Sequence, residues 1–341
     1  MRRWGPWFVA ELVVALVLVL LDAPGPGGPE SARGVEPVTV RAITAWPLDC
    51  NCVSQYKRYI DETNKRGKGK IEIKLLGGPE VVKPFEQLQA LRAGIADMTH
   101  SAGDYYVGET IEGAALAMLD PTDFDKYLKG FRAGRDIINQ AYREKSGVRL
   151  LGITVGGTGF RFMMGKPISG LDDLKGKRVR VFGTQGAKAA QYFGASPQTI
   201  PAHELYPALQ KGVVDGAIRA PDDAWSFGER DVYKSMIATP MQLAPGSTYI
   251  AVRVWDKLPA DVQQLLSSTS EELEPQVLSY FHDADQKSIE NLKAKGMQVV
   301  DVDAAGKKRL AEARLLFWED VVAKSPRYGA QLRTLLEPYS K

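Results

Sequence analysis

The chain alternates between two hydrophobic periodicities from residue 38 onward. Apolar residues at every second position predict strands, and apolar residues at helical spacing predict helices. In the first half, "VTVRAITAW" (38–46), "IEIKLL" (71–76), "IADMTH" (95–100) and "GVRLLGITVG" (147–156) predict strands, and 55–64 and 84–94 predict helices. Strands that alternate with helices indicate an α/β fold built on parallel sheets with covered faces.

The second half continues the same alternation. It predicts strands at 160–168, 178–181, 196–201, 216–220, 246–258 and 297–302, and helices at 183–194, 202–212 and 304–323. A long amphipathic helix over 259–296, bent near Pro275, lies among them. Two α/β units joined by crossing strands and spanned by one long helix predict a bilobal protein with a cleft, similar to periplasmic binding proteins.

The domain organisation follows from these elements. We expect lobe I to contain 38–157 with about 243–285, and lobe II to contain 158–242 with about 286–325. Residues 326–341 are expected to form a C-terminal tail. The length of 341 residues is enough for two hydrophobic cores.

The N-terminus has the layout of a secretory signal. Arg2 and Arg3 precede an apolar run over 7–21, interrupted by Glu11, and a Pro/Gly-rich stretch follows. The run is shorter than the roughly 20 residues that span a bilayer. We therefore expect 1–37 to be a signal peptide and linker that direct the protein to the periplasm, with an uncleaved membrane anchor as the alternative.

Charge and motifs narrow the function classes. A net charge of +3 is too small to indicate a nucleic-acid partner. The sequence has no G-x-S-x-G, no H-E-x-x-H, no P-loop and no dinucleotide-binding fingerprint, and its acid pairs at 172–173 and 222–223 are typical of turns and helix caps. We therefore do not expect an enzyme.

The two cysteines, Cys50 and Cys52, lie in "LDCNC". A disulfide across one residue closes a small ring, and the three histidines are too scattered to complete a metal site. A thiol–disulfide enzyme more usually carries C-x-x-C. A structural pair and a thiol oxidoreductase both remain open.

Cationic and aromatic residues gather at the predicted strand ends, where ligands bind in open α/β sheets. An arginine fork matches a carboxylate, and the helix that starts near Gly183 directs N–H groups at the same region. Arg178, beside Lys175 and Lys177, is expected on the surface, and Arg180 in the cleft. The predicted ligand-binding residues are Arg180, Arg161, Arg219, Trp46, Tyr105 and Trp225.

Two stretches, "DLKGKRVRV" (173–181) and "FGASPQTIPAHELYPALQKGVVDGA" (193–217), resemble the signature of the substrate-binding proteins of TRAP (tripartite ATP-independent periplasmic) transporters. The segments 78–98 and 159–168 are similar to earlier blocks of that family, and the resemblance covers about 38–320. It implies a receptor that closes two lobes around an organic acid and delivers it to the membrane subunits of a permease. The alternative partner is a sensor that receives the liganded protein.

The resemblance also implies roles for particular residues. The family's carboxylate-binding arginine falls on Arg180, and a second ligand contact falls on Arg161. In "VDGAIRAP" Arg219 replaces a residue that is commonly neutral, so it serves a second carboxylate or pairs with Asp222 or Asp223. The acid–aromatic pair of a metal-using branch is absent at 218–219. We therefore expect no metal. We also expect no cofactor, and we expect the protein to be a monomer.

Overall fold

The computed structural model describes residues 37–156, 158–243 and 245–341, and these residues form two sheets. In chain order the strands are β1 (Val38–Thr44), β2 (Ile71–Gly77), β3 (Met98–Ala102), β4 (Val148–Val155), β5 (Gly159–Met164), β6 (Arg178–Val181), β7 (Ser196–Thr199), β8 (Gly216–Arg219), β9 (Ser235–Ile237), β10 (Gln242–Leu243), β11 (Gly246–Ala251) and β12 (Gln298–Val300). The signal segment predicted from the sequence lies outside the described residues.

The first sheet has the strand order β2-β1-β3-β11-β4. Strand β1 runs parallel to both of its neighbours, whereas β11 runs antiparallel to β3 and β4. The predicted parallel sheet is therefore found with one antiparallel strand, β11, inserted in it. The chain returns from the second sheet to insert β11, and that return reverses the direction of the strand.

The second sheet has the order β12-β9-β5-β8-β6-β7, with β10 paired to β5. Strand β6 lies between the parallel strands β7 and β8, and β5 runs antiparallel to β8. In that antiparallel pair Arg161 lies opposite Arg219. Three of the predicted arginines therefore come from three adjacent strands.

Eleven α-helices are present in the described ranges. They are α1 (Ser54–Arg66), α2 (Gln87–Ala93), α3 (Phe124–Ser146), α4 (Thr184–Tyr192), α5 (Leu205–Gln210), α6 (Pro221–Ser226), α7 (Val252–Trp255), α8 (Ala260–Ala294), α9 (Ala304–Leu315), α10 (Phe317–Lys324) and α11 (Gly329–Leu336). Helix α8 agrees with the predicted long helix, and Pro275 lies inside it. Helices α3 and α11 were not predicted, and the predicted helix over 304–323 is divided at Leu316. None of the described helices is long and apolar enough to cross a membrane.

Each sheet has its own hydrophobic core, so the fold is bilobal as predicted. We call the first sheet with its packed helices the first lobe, and the second sheet with its helices the second lobe. Helix α8 belongs to both, because Val277 and Phe281 pack in the first core while Leu292 packs beside Met163 of β5. Helices α10 and α11 pack in the first core. The residue boundaries of the lobes remain a prediction.

The predicted strand over 246–258 ends at Ala251, and the helix α7 that follows contacts a buried carboxylate. Asp97 accepts hydrogen bonds from Arg41 Nε at 2.9 Å, from the Arg41 backbone N–H at 3.0 Å and from Arg253 Nη2 at 2.7 Å. Arg253 lies in the short helix α7, which brings its guanidinium to Asp97. Burial opposes ionisation, but these hydrogen bonds hold the pKa of Asp97 below its ordinary value.

Replacing Asp97 with Asn should lower the free energy of unfolding by about 1–3 kcal/mol, because two guanidinium groups lose an ionised partner. Since the pKa of Asp97 is lowered in the fold, its contribution is fully present above the unfolded pKa and is lost as the pH falls through the folded pKa. Urea unfolding of the native protein and of the Asp97→Asn variant, at pH 7 and at about pH 3, measures both effects.

The matched control is Asp231→Asn, which removes an exposed carboxylate paired with Lys295. An exposed pair of this kind is worth less than about 1 kcal/mol. Equal destabilisation by the two substitutions would contradict the structural role of Asp97.

Candidate functional site

A small cavity lies where the strand ends of the two lobes meet. Its volume is about 30 Å³, and its lining residues are Trp46, Cys52, Ala102, Tyr105, Val155, Thr158, Phe160, Arg180, Phe182, Ala202, Arg219, Asp223 and Gly246. That volume is near the share of one water molecule in the liquid, whereas ligand pockets usually measure about 300–1,000 Å³. As it stands, the cavity is therefore too small for a typical small-molecule ligand. Larger depressions occur elsewhere, of about 470 and 490 Å³ on the second lobe and of about 270 and 370 Å³ beside the long helix α8.

Arg180 is the principal cationic group of this cavity. Its neighbours Val179 and Val181 pack in the core of the second lobe, and its own side chain is only 1% exposed. The Nε group donates to the backbone oxygen of Ile200 at 2.8 Å, and both terminal nitrogens have no hydrogen-bond partner among the described residues. Burial and the nearby Arg219 both lower the pKa of Arg180, although a guanidinium remains charged in proteins. A buried cation with two unpaired donor groups is complementary to a carboxylate.

The surface placement of Arg178 is confirmed. It lies two residues before Arg180 on β6, and its exposed guanidinium pairs with Asp215 at 2.8 and 3.1 Å. The same strand therefore carries one solvated arginine and one buried arginine.

Arg219, at the end of β8, also lines the cavity but is already paired. Its Nε and Nη2 groups donate to the two carboxylate oxygens of Glu229 at 3.0 and 2.7 Å, and Nη1 donates to Asp223 at 3.2 Å. Burial opposes the charge, yet Glu229 and Asp223 outweigh it and raise the pKa of Arg219. Of the two roles left open for Arg219, the structure supports pairing, with Asp223 and the unforeseen Glu229 rather than with Asp222.

Arg161 does not line the cavity. Its Nη2 group donates to Asp285 of α8 at 3.3 Å, and its Nε group donates to the backbone oxygen of Gly159 at 3.0 Å. Like charges directly opposite each other in a sheet repel. Arg161 and Arg219 occupy such a pair, and each is neutralised by a different acid.

The aromatic residues are only partly brought together. Trp46 and Tyr105 line the cavity with their ring centroids 6.3 Å apart, whereas Trp225 lies outside it beneath the guanidinium of Arg230. Two lining aromatics were missed, Phe160 and Phe182, whose ring centroids are 5.0 Å apart. Phe160 directly precedes the predicted site residue Arg161, and Phe182 directly follows β6. Both lie at strand ends, where ligand-binding residues were expected.

The start of helix α4 faces an acid of the first lobe. A Cβ atom at Gly183, its N-terminal cap, would lie 3.0 Å from the Cβ of Asp104, so only glycine fits without a shift. Burial raises the pKa of Asp104 to about 7. The start of α4 therefore packs against Asp104, whose Oδ1 has no hydrogen-bond partner among the described residues.

The two cysteines form a disulfide, and the residue between them bridges the lobes. Asn51 donates through Nδ2 to Asp222 of α6 at 2.8 Å and accepts a hydrogen bond from Tyr280 of α8 at 2.7 Å. Cys52 also lines the cavity. The "LDCNC" segment is therefore part of the contact between the lobes beside the site.

No group of three or more histidine, cysteine or acidic side chains is placed to hold a metal ion in the described part of the chain. The cavity is lined by the cation Arg180, by the ion pair of Arg219 and Asp223, and by apolar and aromatic side chains.

Comparison with known proteins identifies the family. The model of DctP, bacterial extracellular solute-binding protein family 7, matches residues 45–325. The monocarboxylate 2-oxoacid-binding periplasmic protein all3028 of Nostoc is 23% identical over 78% of this chain and 74% of its own length. The 2,3-diketo-L-gulonate-binding periplasmic protein YiaO of Escherichia coli is 24% identical over 81% of this chain and 84% of its own length.

Solved structures agree on the fold. A TRAP periplasmic solute-binding protein from Desulfovibrio salexigens, with bound orotic acid, has a TM-score of 0.81 at 21% identity and covers 89% of this chain and 98% of its own. One from Rhodoferax ferrireducens, with bound malonate, has a TM-score of 0.78 at 21% identity and covers 88% and 98%. The resemblance seen in the sequence is confirmed: the chain belongs to bacterial extracellular solute-binding protein family 7, the DctP-like receptors of TRAP transporters, which bind solutes and are not enzymes.

Proposed function

We propose that this protein captures an organic acid between its lobes by binding the carboxylate to the terminal nitrogens of Arg180. The observation that carries the proposal is the buried guanidinium of Arg180, whose two terminal nitrogens have no partner among the described residues. The two relatives are named for binding 2-oxo acids and diketogulonate, and the two similar structures contain orotic acid and malonate. All of these compounds are acids.

Closure of the lobes strengthens the bond to the acid. A charge-assisted hydrogen bond is worth more when water is excluded, because the local dielectric constant falls. The Nε bond to Ile200 fixes the guanidinium, so the fork is oriented before the ligand arrives. Trp46 and Tyr105 of the first lobe close over the acid that Arg180 of the second lobe holds.

The location and partners complete the proposal. The protein acts outside the cytoplasm, in the periplasm, where a signal peptide over 1–37 directs it, with an uncleaved anchor as the alternative. It works as a monomer and delivers the acid to the membrane subunits of a TRAP permease. Opening and closing of the lobes would present the ligand to those subunits.

A thermal-shift screen against mono- and dicarboxylates, aromatic acids and sugar acids tests the ligand class. An acid at 100 times its Kd should stabilise the protein by about 2.7 kcal/mol and raise the Tm. The uncharged primary amide of the same acid is the control and should give no shift. If no acid raises the Tm, the proposed function is wrong.

Replacing Arg180 with Lys should raise the Kd of the best acid at least about tenfold, since an ammonium group cannot form the bidentate fork. Isothermal titration calorimetry measures the change. Arg178→Lys is the matched control, because Arg178 lies on the same strand but is exposed and paired with Asp215. Equal affinity of the two variants would remove Arg180 from the site.

Replacing Asn51 with Asp should weaken binding through the contact between the lobes, and more strongly at pH 8 than at pH 5. Burial raises the pKa of Asp222 to about 6, so above that pH the new carboxylate meets an ionised one, and below it the repulsion is relieved. Kd values at both pH values, measured beside the native protein and Asn51→Ala, check this. A loss of affinity that does not depend on pH, or none at all, would contradict the role of Asn51.

A further inference from the structure

Resting on the proposed function, we propose that Asp223 and Glu229 make the site selective for acids with a single negative charge, because they neutralise Arg219. Two arginines line the cavity, a number that suggests a dicarboxylate. Arg219 is bonded to two acidic side chains, whereas Arg180 is bonded to none in the described ranges.

The pairing of Arg219 leaves little for a ligand. A guanidinium has five N–H donors on three nitrogens. All three nitrogens of Arg219 already bond to carboxylate oxygens, two of them to Glu229 in a bidentate arrangement. Glu229 is fully buried and also accepts a hydrogen bond from Tyr233 at 3.2 Å, and Phe227 lies 4.6 Å from the guanidinium of Arg219. Three of its five N–H donors are therefore used by acids of the protein, one on each nitrogen.

If Arg219 bound a ligand instead, Glu229 would lose its ionic partner. Glu229 would then be a buried carboxylate whose remaining bond comes from the Tyr233 hydroxyl. An unpaired buried charge costs far more than an exposed one. The position of Glu229 therefore keeps Arg219 on the protein's own acid rather than on a second carboxylate of the ligand.

The charge balance of the cavity points the same way. Arg219 is matched by Glu229, and Asp223 adds a second negative charge to the lining itself. The two arginines and these two acids sum to zero net charge, and Arg180 is the one of the two cations with no acidic partner among the residues that the structure describes, so every ligand carboxylate beyond the one at Arg180 adds uncompensated negative charge. A second ligand carboxylate would be repelled by Asp223 and would find no unpaired cation among the residues that line the cavity.

The other walls are poor surroundings for a charge. Four aromatic rings line the cavity, together with small apolar side chains. Such walls favour an uncharged body, either a short chain or a flat ring. The ligand class is therefore a small monocarboxylate whose only charge lies at Arg180.

The test compares acids that differ only in a second carboxylate: butanoate with succinate, hexanoate with adipate, and benzoate with phthalate. Isothermal titration calorimetry on the native protein should give a Kd for the monoacid at least about tenfold lower than for its diacid, in the pairs that bind. Asp223→Asn and Glu229→Gln should each move this ratio toward the diacid by about tenfold or more, because each frees part of the charge of Arg219.

Asp231→Asn is the matched control, since Asp231 lies in the same turn as Glu229 but is exposed and paired with Lys295, and it should leave the ratio unchanged. Asp223 is more accessible than Glu229, so Asp223→Asn carries the test if Glu229→Gln fails to fold. Diacids that bind the native protein as tightly as monoacids, or a ratio that neither variant moves, would overturn this inference alone. Failure of every acid to bind would overturn the proposed function itself.

Discussion

The burial of two guanidinium groups side by side is the constraint on which the rest of the site depends. Arg180 and Arg219 lie on the adjacent strands β6 and β8, and burial together with the charge of Arg219 lowers the pKa of Arg180. Such a pair is tolerable only if one charge is balanced within the protein. Glu229 and Asp223 supply that balance, and they do so from the segment that follows β8. Asp223 lies in helix α6 and Glu229 in the turn after it, so the positions of these two elements determine the charge balance at the cavity.

Arginines of the same sheet have different roles because different acids reach them. Arg178 meets Asp215 at the surface, Arg161 meets Asp285 on the long helix α8, and Arg219 meets Glu229. Arg180 alone among these four has two buried terminal nitrogens without a partner in the described part of the chain. Residue type and strand position select the candidates, and the nearest carboxylate decides which of them is paired within the protein.

Local patterns predicted much of this arrangement. Alternation in "RVRV" indicated a strand with Arg180 near its cleft end, and helical spacing over 259–296 indicated the helix that spans both lobes. Features set by distant contacts were not predictable in the same way. Glu229 is ten residues from Arg219, and α7 forms where Arg253 reaches Asp97, 156 residues away. The pairing of Arg161 was not predictable for the same reason, since its partner Asp285 is 124 residues away.

The central claim is that Arg180, and not another arginine, holds the carboxylate of the ligand. A crystal structure of the protein with the acid that gives the largest thermal shift tests it most directly. We expect a carboxylate oxygen within about 3 Å of each terminal nitrogen of Arg180, with Arg219 still bonded to Glu229. A carboxylate bound at Arg161 or Arg219, with the terminal nitrogens of Arg180 facing other groups, would contradict the account.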